Sequence, residues 1–200
     1  MTLEQPPALL QIVREPLKPG SEAPFDAVER EIARSAATLG CPHPYLGTES
    51  LSGPKEAWWF NAYESSTQQQ QVYDAYAENE ALMAALHKTS QVKSGMTLQP
   101  VDTLTRYNAG ASTGTPWGPG RGRYLVVLIT TRRDRTEGTV FESLDGTRYI
   151  ITAADTREEA DAVKASVGPD AVMLAVQPAW SFPAKTWVAT DPVFWQSPRR

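Results

Sequence analysis

The sequence predicts an α+β fold of two tandem halves, a βαββαβ unit followed by a shortened βββαβ unit. Three observations predict it. Residues 9–107 switch between period-two and period-3.6 hydrophobic runs in the order β-α-β-β-α-β. Residues 109–122 (AGASTGTPWGPGRG), with five glycines and two prolines, then break the pattern. Beyond the break, an Asp145-Gly146 pair between strand-like runs and a Thr156–Glu159 capping pair mark the hairpin and helix of a second unit. The expected organisation is therefore a complete half over 1–108, a linker over 109–122, and a shortened half with an aromatic tail over 123–200.

Each element has a local cause. Leu9, Leu10, Ile12 and Val13 form the first strand, which Pro16, Pro19 and Gly20 stop. Pro24 suits a first helical position, and Phe25, Val28, Ile32, Ala36 and Leu39 recur at spacings of three and four until Gly40 ends the helix. Glu29, Arg30, Glu31 and Arg34 are assigned to its solvent side. Residues 45–51 and 56–63 form a hairpin around Ser52, Gly53 and Pro54. In its second strand Glu56, Trp58, Phe60 and Ala62 alternate with Ala57, Trp59, Asn61 and Tyr63. Both faces are largely apolar, so this strand needs cover on both sides.

Ser65, Ser66 and Thr67 each precede a Gln by three residues and cap the next helix, whose stripe is Val72, Ala75, Tyr76, Leu82, Met83 and Leu86. Asn79 falls inside this stripe and is expected to cap a second helical segment after a break. Residues 97–107 close the unit as a fourth strand, completing the ferredoxin-like order. In the second half, residues 123–131, 139–144 and 147–152 are strands, and residues 171–177 form the last one. The helix between them carries Ala160, Val163 and Val167 inward until Gly168 and Pro169. Residues 132–138 are too few to replace the first helix of a complete unit. Trp187, Phe194 and Trp195 of the tail are expected to pack on the body or on a partner.

Composition narrows the functional classes. With 200 residues, 41% hydrophobic and 21% charged, the chain can bury a core without disulfides or structural metal. A single cysteine, Cys41, and no leader-like start point to a reducing, cytoplasmic setting. No apolar run approaches the roughly 20 residues of a membrane helix. A net charge of −4 without basic blocks argues against nucleic acid as partner. Arg132, Arg133 and Arg135, interrupted by Asp134 and Glu137, form a solvated turn. Gly118, Gly120 and Gly122 precede a strand, the wrong context for a phosphate cradle. Hydrolase, zincin and nucleotidase motifs are absent.

The element order, the Trp58-Trp59 strand and the helical segment Tyr73–Met83 (YDAYAENEALM) together resemble the dimeric α+β barrel superfamily. That superfamily includes antibiotic-biosynthesis monooxygenase-like and haem-degrading proteins. The resemblance covers residues 9–107 well and 123–177 weakly, and it implies antiparallel sheets stacked into an α+β barrel with ligand pockets between sheet and helices. It also implies a haem reading, in which a helix histidine, here His87, would bind iron with help from Gln11 and Trp58 or Trp59. The spacing to His87 departs from that family. A fused pair of halves would close the barrel within one chain, as a monomer or a homodimer.

Several residues are candidates for chemistry. His43, held between Pro42 and Pro44, is preset in a loop and would suit a catalytic base; a rigid connection is the bland alternative. Cys41 and His43 supply too few ligands for zinc, so no metal is expected. His87 lies at the edge of the stripe of Tyr76 and Met83. Glu49 shares a strand face with Tyr45 and would act as a base if apolar neighbours raised its pKa, an edge ion pair being the alternative. Arg14 and Arg106 are placed to meet Glu49 or an anionic ligand.

Two functional classes follow. One is a protein that binds a small apolar or aromatic molecule in a pocket of Tyr45, Trp58 or Trp59, Tyr76 and Met83, as a cofactor-independent oxygenase in its enzymatic form. The other is a structural or interaction module in which the same space is filled. Haem binding is a third reading, and otherwise no cofactor is expected.

Overall fold

The structure is a computed structural model that describes residues 5–134 and 137–196. The first half comprises β1 (Leu9–Pro16), α1 (Glu22–Thr38), β2 (Tyr45–Ser50), β3 (Glu56–Tyr63), α2 (Ser66–Glu78), α3 (Glu80–Lys93) and β4 (Val101–Tyr107). The second comprises β5 (Tyr124–Thr130), β6 (Thr139–Ser143), β7 (Arg148–Ala154), α4 (Arg157–Val167) and β8 (Val172–Val176). Two short helices follow, α5 (Lys185–Thr190) and α6 (Pro192–Trp195).

The strands close a barrel in the order β1-β3-β2-β8-β5-β7-β6-β4. Every neighbouring pair is antiparallel. The halves carry matching strand orders, β4-β1-β3-β2 and β8-β5-β7-β6. They join at two short seams. Thr48–Ser50 of β2 pairs with Leu174–Val176 of β8, and Thr105–Tyr107 of β4 with Phe141–Ser143 of β6. The expected α+β barrel is thus closed within a single chain, and closure removes the exposed sheet edges that two separate half-sheets would present. Among the described residues no helix is long and apolar enough to cross a membrane.

The period of two decides what fills the barrel. Leu10, Ile12, Trp58, Phe60, Leu125, Val127, Phe141, Ile151 and Leu174 point inward and form one apolar cluster. The tail joins this cluster through Trp187 and Trp195, meeting the expectation that it packs on the body. Rather than hanging between the halves as a free joint, the linker also inserts Trp117, which is 1% exposed. The Trp117 ring packs edge-on against Phe60 and Phe141, its backbone N–H donates to Thr139 Oγ1 at 2.7 Å, and its indole N–H donates to the Arg121 carbonyl at 3.2 Å.

Local signals at element ends are realised. Asn79 breaks the second helical run: its Oδ1 accepts the Leu82 N–H at 3.1 Å, and its Nδ2 donates to the Leu39 carbonyl at 2.8 Å. Thr156 and Glu159 form the capping box of α4. The hairpin marked by Asp145-Gly146 forms, with a loop one residue longer than a two-residue turn. Ser143 and Thr147 close a three-residue loop in which Gly146 alone has positive φ, +83°, the geometry of a type I turn followed by a left-handed glycine. The fourth strand begins at Val101, four residues later than predicted, because residue 97 contributes only an isolated bridge to Leu17.

Glu29 requires a correction. Assigned to the solvent side of α1, it is 1% exposed and belongs to the buried stripe Phe25, Glu29, Ala33 and Ala36. The helical spacing admits it to that stripe, and an ammonium group across the interface, described below, makes burial of the carboxyl tolerable. The β5–β6 connection carries no helix among the described residues, as predicted from its length. Arg132 pairs with Asp134 and Arg133 with Glu142 in solvent; Arg135 lies outside the described residues.

Candidate functional site

Trp58 and Trp59 occupy opposite faces of β3, as alternation requires. Trp58 points into the barrel, where its indole N–H donates to Glu56 at 2.7 Å. Arg14, on the adjacent β1, forks onto the same carboxylate at 2.8–3.1 Å and lies 4.6 Å from the Trp58 ring centre. β1 is therefore a central strand of its half, and Arg14 pairs with Glu56 instead of Glu49. Trp59 faces outward beneath α1, against Phe25, Tyr45 and Trp180.

The residues proposed to line a pocket between sheet and helices meet a packed layer. Trp180, in the segment after β8, packs edge-on against Phe25 and donates its indole N–H to Asp26 at 2.8 Å. Phe182 pairs by backbone with Tyr45 and packs with Cys41, Leu82, Tyr76 and Leu86. Gly47 is what lets this segment approach, since a Cβ there would lie 2.7 Å from the Trp59 ring and 3.1 Å from Trp180 Cβ. Tyr45 and Tyr76 thus line an aromatic layer that the chain's own C-terminal segment fills. Met83 is half-buried on α3.

His43 is buried. Its Nε2 lies 2.8 Å from the Ala62 carbonyl, and its ring stacks on Tyr63 at 4.8 Å. Burial holds its pKa below the ordinary imidazole value, outweighing the Ala62 hydrogen bond. The neighbouring Cys41 thiol is pushed up by burial, and Tyr76 OH sits 3.0 Å from its sulfur; the Tyr76 phenol is itself raised, first by burial and then by this hydrogen bond. Glu49 is half-buried on the outer face of β2, between Lys55 at 3.5 Å and Gln177 at 3.3 Å. His87 is exposed on α3. Arg106 is exposed on the outer face of β4, in a shallow groove of about 470 Å³ with Leu104, Asn108, Glu142 and Leu144.

These positions also test a haem site. His87 stands on the outside of α3, Gln11 on the outer face of β1 with its amide on Asp102 at 2.8 Å, and Trp58 inside the barrel. The three do not converge: His87 and Gln11 lie on outer surfaces and Trp58 lies in the lumen. Among the described residues no group of three or more His, Cys, Asp or Glu is arranged to hold a metal ion.

The second half carries an open concavity with a mixed apolar and hydroxyl lining. A cleft of about 600 Å³ opens between the linker, the end of β7, the two residues before β6 and α4. Ala153, Ala154, Ala162, Val163 and Val167 give it apolar surface; Thr113, Thr115, Thr152 and Ser166 supply hydroxyls, with Arg121 and Glu137 also lining it. Two glycines with positive φ hold the backbone close. A Cβ at Gly122 would meet Ala153 Cβ at 2.9 Å, and one at Gly138 would meet Thr152 Oγ1 at 2.7 Å. The cleft adjoins the short β5–β6 connection, the topological place that α1 takes in the first half. Sequence reasoning recorded the missing helix without drawing this consequence, although the missing cover was the available signal.

Fold and cleft together define an α+β barrel protein with a closed, filled lumen and an open cleft on its second sheet. Among solved structures the chain is similar to a crystal structure named "putative monooxygenase" from Fusobacterium nucleatum subsp. nucleatum, with 8% sequence identity and a TM-score of 0.47 over 86% of this chain and 92% of that one. No family model matches the chain, and no curated protein matches it.

Proposed function

We propose that the chain is a tandem, single-chain form of the dimeric α+β barrels that binds a small apolar or aromatic molecule in the cleft between α4 and the linker. One observation carries this reading: the cleft has about 600 Å³ of space, apolar surface and a few hydroxyls, within the size and chemistry of small-molecule sites. The repeated strand order supports the tandem form. The aromatic layer around Tyr45, Trp59 and Tyr76 is filled by Trp180 and Phe182, which moves the proposed site from the first half to the second.

A thermal-shift panel of aromatic, quinone and haem compounds tests this on the native chain and on Ala162→Trp, which places an indole in the cleft. Stabilisation of the native chain that Ala162→Trp abolishes is the expected result. Stabilisation that persists unchanged in Ala162→Trp would move the site elsewhere. If no compound stabilises the native chain, the filled lumen and filled aromatic layer favour the second reading, an interaction module without enzymatic activity. For a compound that binds, dioxygen uptake in its presence separates a cofactor-independent oxygenase from a carrier.

A further inference from the structure

Beneath α1, two carboxylates share one ammonium group. Lys93, at the end of α3, donates a hydrogen bond to Glu15 of β1 at 2.8 Å and reaches Glu29 of α1 as an ion pair at 3.1 Å. Glu15 is already occupied, since it also accepts the Trp59 indole N–H at 2.7 Å. Glu29 is less well served. Its Oε1 is buried and accepts no hydrogen bond of good geometry. The surroundings are apolar: the Phe25 and Trp59 rings lie 5.8 and 5.5 Å from the Lys93 ammonium. The other charged groups nearby are spent, because Asp26 and Arg30 on α1 pair with each other at 2.7 Å and the Lys18 ammonium bonds the Gly95 carbonyl at 2.9 Å. With all three members ionised, the group holds one surplus negative charge, and the carboxylate that carries it without a well-formed hydrogen bond, Glu29, is the most deeply buried of the three, which is costly.

The helix above this group is held to the sheet chiefly near its start, where Phe25 and Asp26 meet Trp180. Ser21 at its N-terminus makes no side-chain cap, and its main packing partner among the elements is α3, the helix that carries Lys93. We propose that Glu15, Lys93 and Glu29 form a proton-operated clasp, in which a proton on Glu29 holds α1 closed over α3 and the sheet and its loss lets α1 open. The electrostatics agree. Burial raises the Glu29 pKa from 4.5 to about 7 against the lowering effect of Lys93, with Glu15 adding to the rise. Burial alone would lower Lys93, but Glu29 and Glu15 outweigh it and hold the ammonium above the ordinary lysine value.

The sign follows from linkage. In the open helix Glu29 titrates near 4.5 and in the closed one near 7, so closure is fully supported below the lower value and loses that support as pH rises to the upper one. Native-state hydrogen exchange on the full chain, corrected for intrinsic rates, reads this out by comparing α1 with α4. Between pH 5 and pH 7.5 the protection of α1 falls by about sixtyfold and then levels, while that of α4 holds. In Glu29→Gln the α1 dependence disappears. An α1 profile that parallels α4, or a dependence that survives in Glu29→Gln, overturns the proposal. If Glu29→Gln does not fold, carboxyl NMR titration of the native chain decides: Glu29 titrating near neutrality supports the clasp, and titration in the ordinary glutamate range overturns it.

Discussion

Replacing Trp117 by Ala takes an indole out of the barrel end, and the structure sets the size of the loss. The side chain is 1% exposed and packs edge-on between Phe60 and Phe141 at ring separations of 5.7 and 6.1 Å. Truncating a buried tryptophan this fully costs about 3–5 kcal/mol, covering lost transfer free energy and the cavity left behind. The backbone bond to Thr139 survives, whereas the indole bond to the Arg121 carbonyl is lost. Trp117→Phe separates these contributions, since it keeps most of the apolar contact and removes the indole donor, for a cost of about 1–2 kcal/mol. Urea denaturation with fixed slope measures both. At this chain length the alanine variant loses about 10 °C of melting temperature. Pro116 lines the cleft, so Trp117→Ala also weakens any ligand held there. An alanine variant within 1 kcal/mol of the native chain would mean that residues 109–122 act as a loose joint, and the reasoning would fail.

Three further outcomes follow. Glu29→Gln stabilises the chain above neutral pH by about 3 kcal/mol relative to its effect near pH 4.5, because the native carboxyl titrates near 7 when folded and near 4.5 when unfolded; a stability difference independent of pH in urea melts contradicts this. His43 has the opposite sign: with its pKa held below 6.5 by burial, it supports the fold above that value and weakens it as pH falls, so His43→Gln flattens the acid side of the stability profile, and an unchanged acid side speaks against it. Gly120→Ala sets a Cβ 2.3–2.6 Å from the Trp187 ring at a φ of +90°, whereas Gly53→Ala, at a φ of +76°, meets nothing within 4 Å. The second costs about 1 kcal/mol and the first at least about 2 kcal/mol more, and equal costs in denaturation would refute the close approach.

The features legible in the sequence are those with local causes. The Asn79 break, the Thr156 box, the two-faced Trp58-Trp59 strand and the missing second-half helix each arise from signals a few residues long. What was not legible depends on partners far along the chain. Glu29 reads as polar until Lys93, on another helix, stands opposite it. Trp117 sits in a glycine- and proline-rich run that signals a joint, and only barrel closure gives it Phe60 and Phe141 as neighbours. The aromatic layer reads as a pocket because Trp180 and Phe182, which fill it, come from beyond the last strand. Site residues followed the same rule: alternation placed Tyr45 and Glu49 on one face, while the wheel that set His87 at a buried edge could not show that the imidazole falls just outside it, beside half-buried Leu86 and buried Thr89.

The cleft is the central claim, and amide chemical-shift mapping with a compound that stabilises the native chain tests it most directly. The predicted result is a set of shifts confined to Thr152, Ala153, Val163, Ser166 and the neighbouring linker amides. Shifts centred on Tyr45, Trp59 and Tyr76, or on Trp58 inside the barrel, would contradict it.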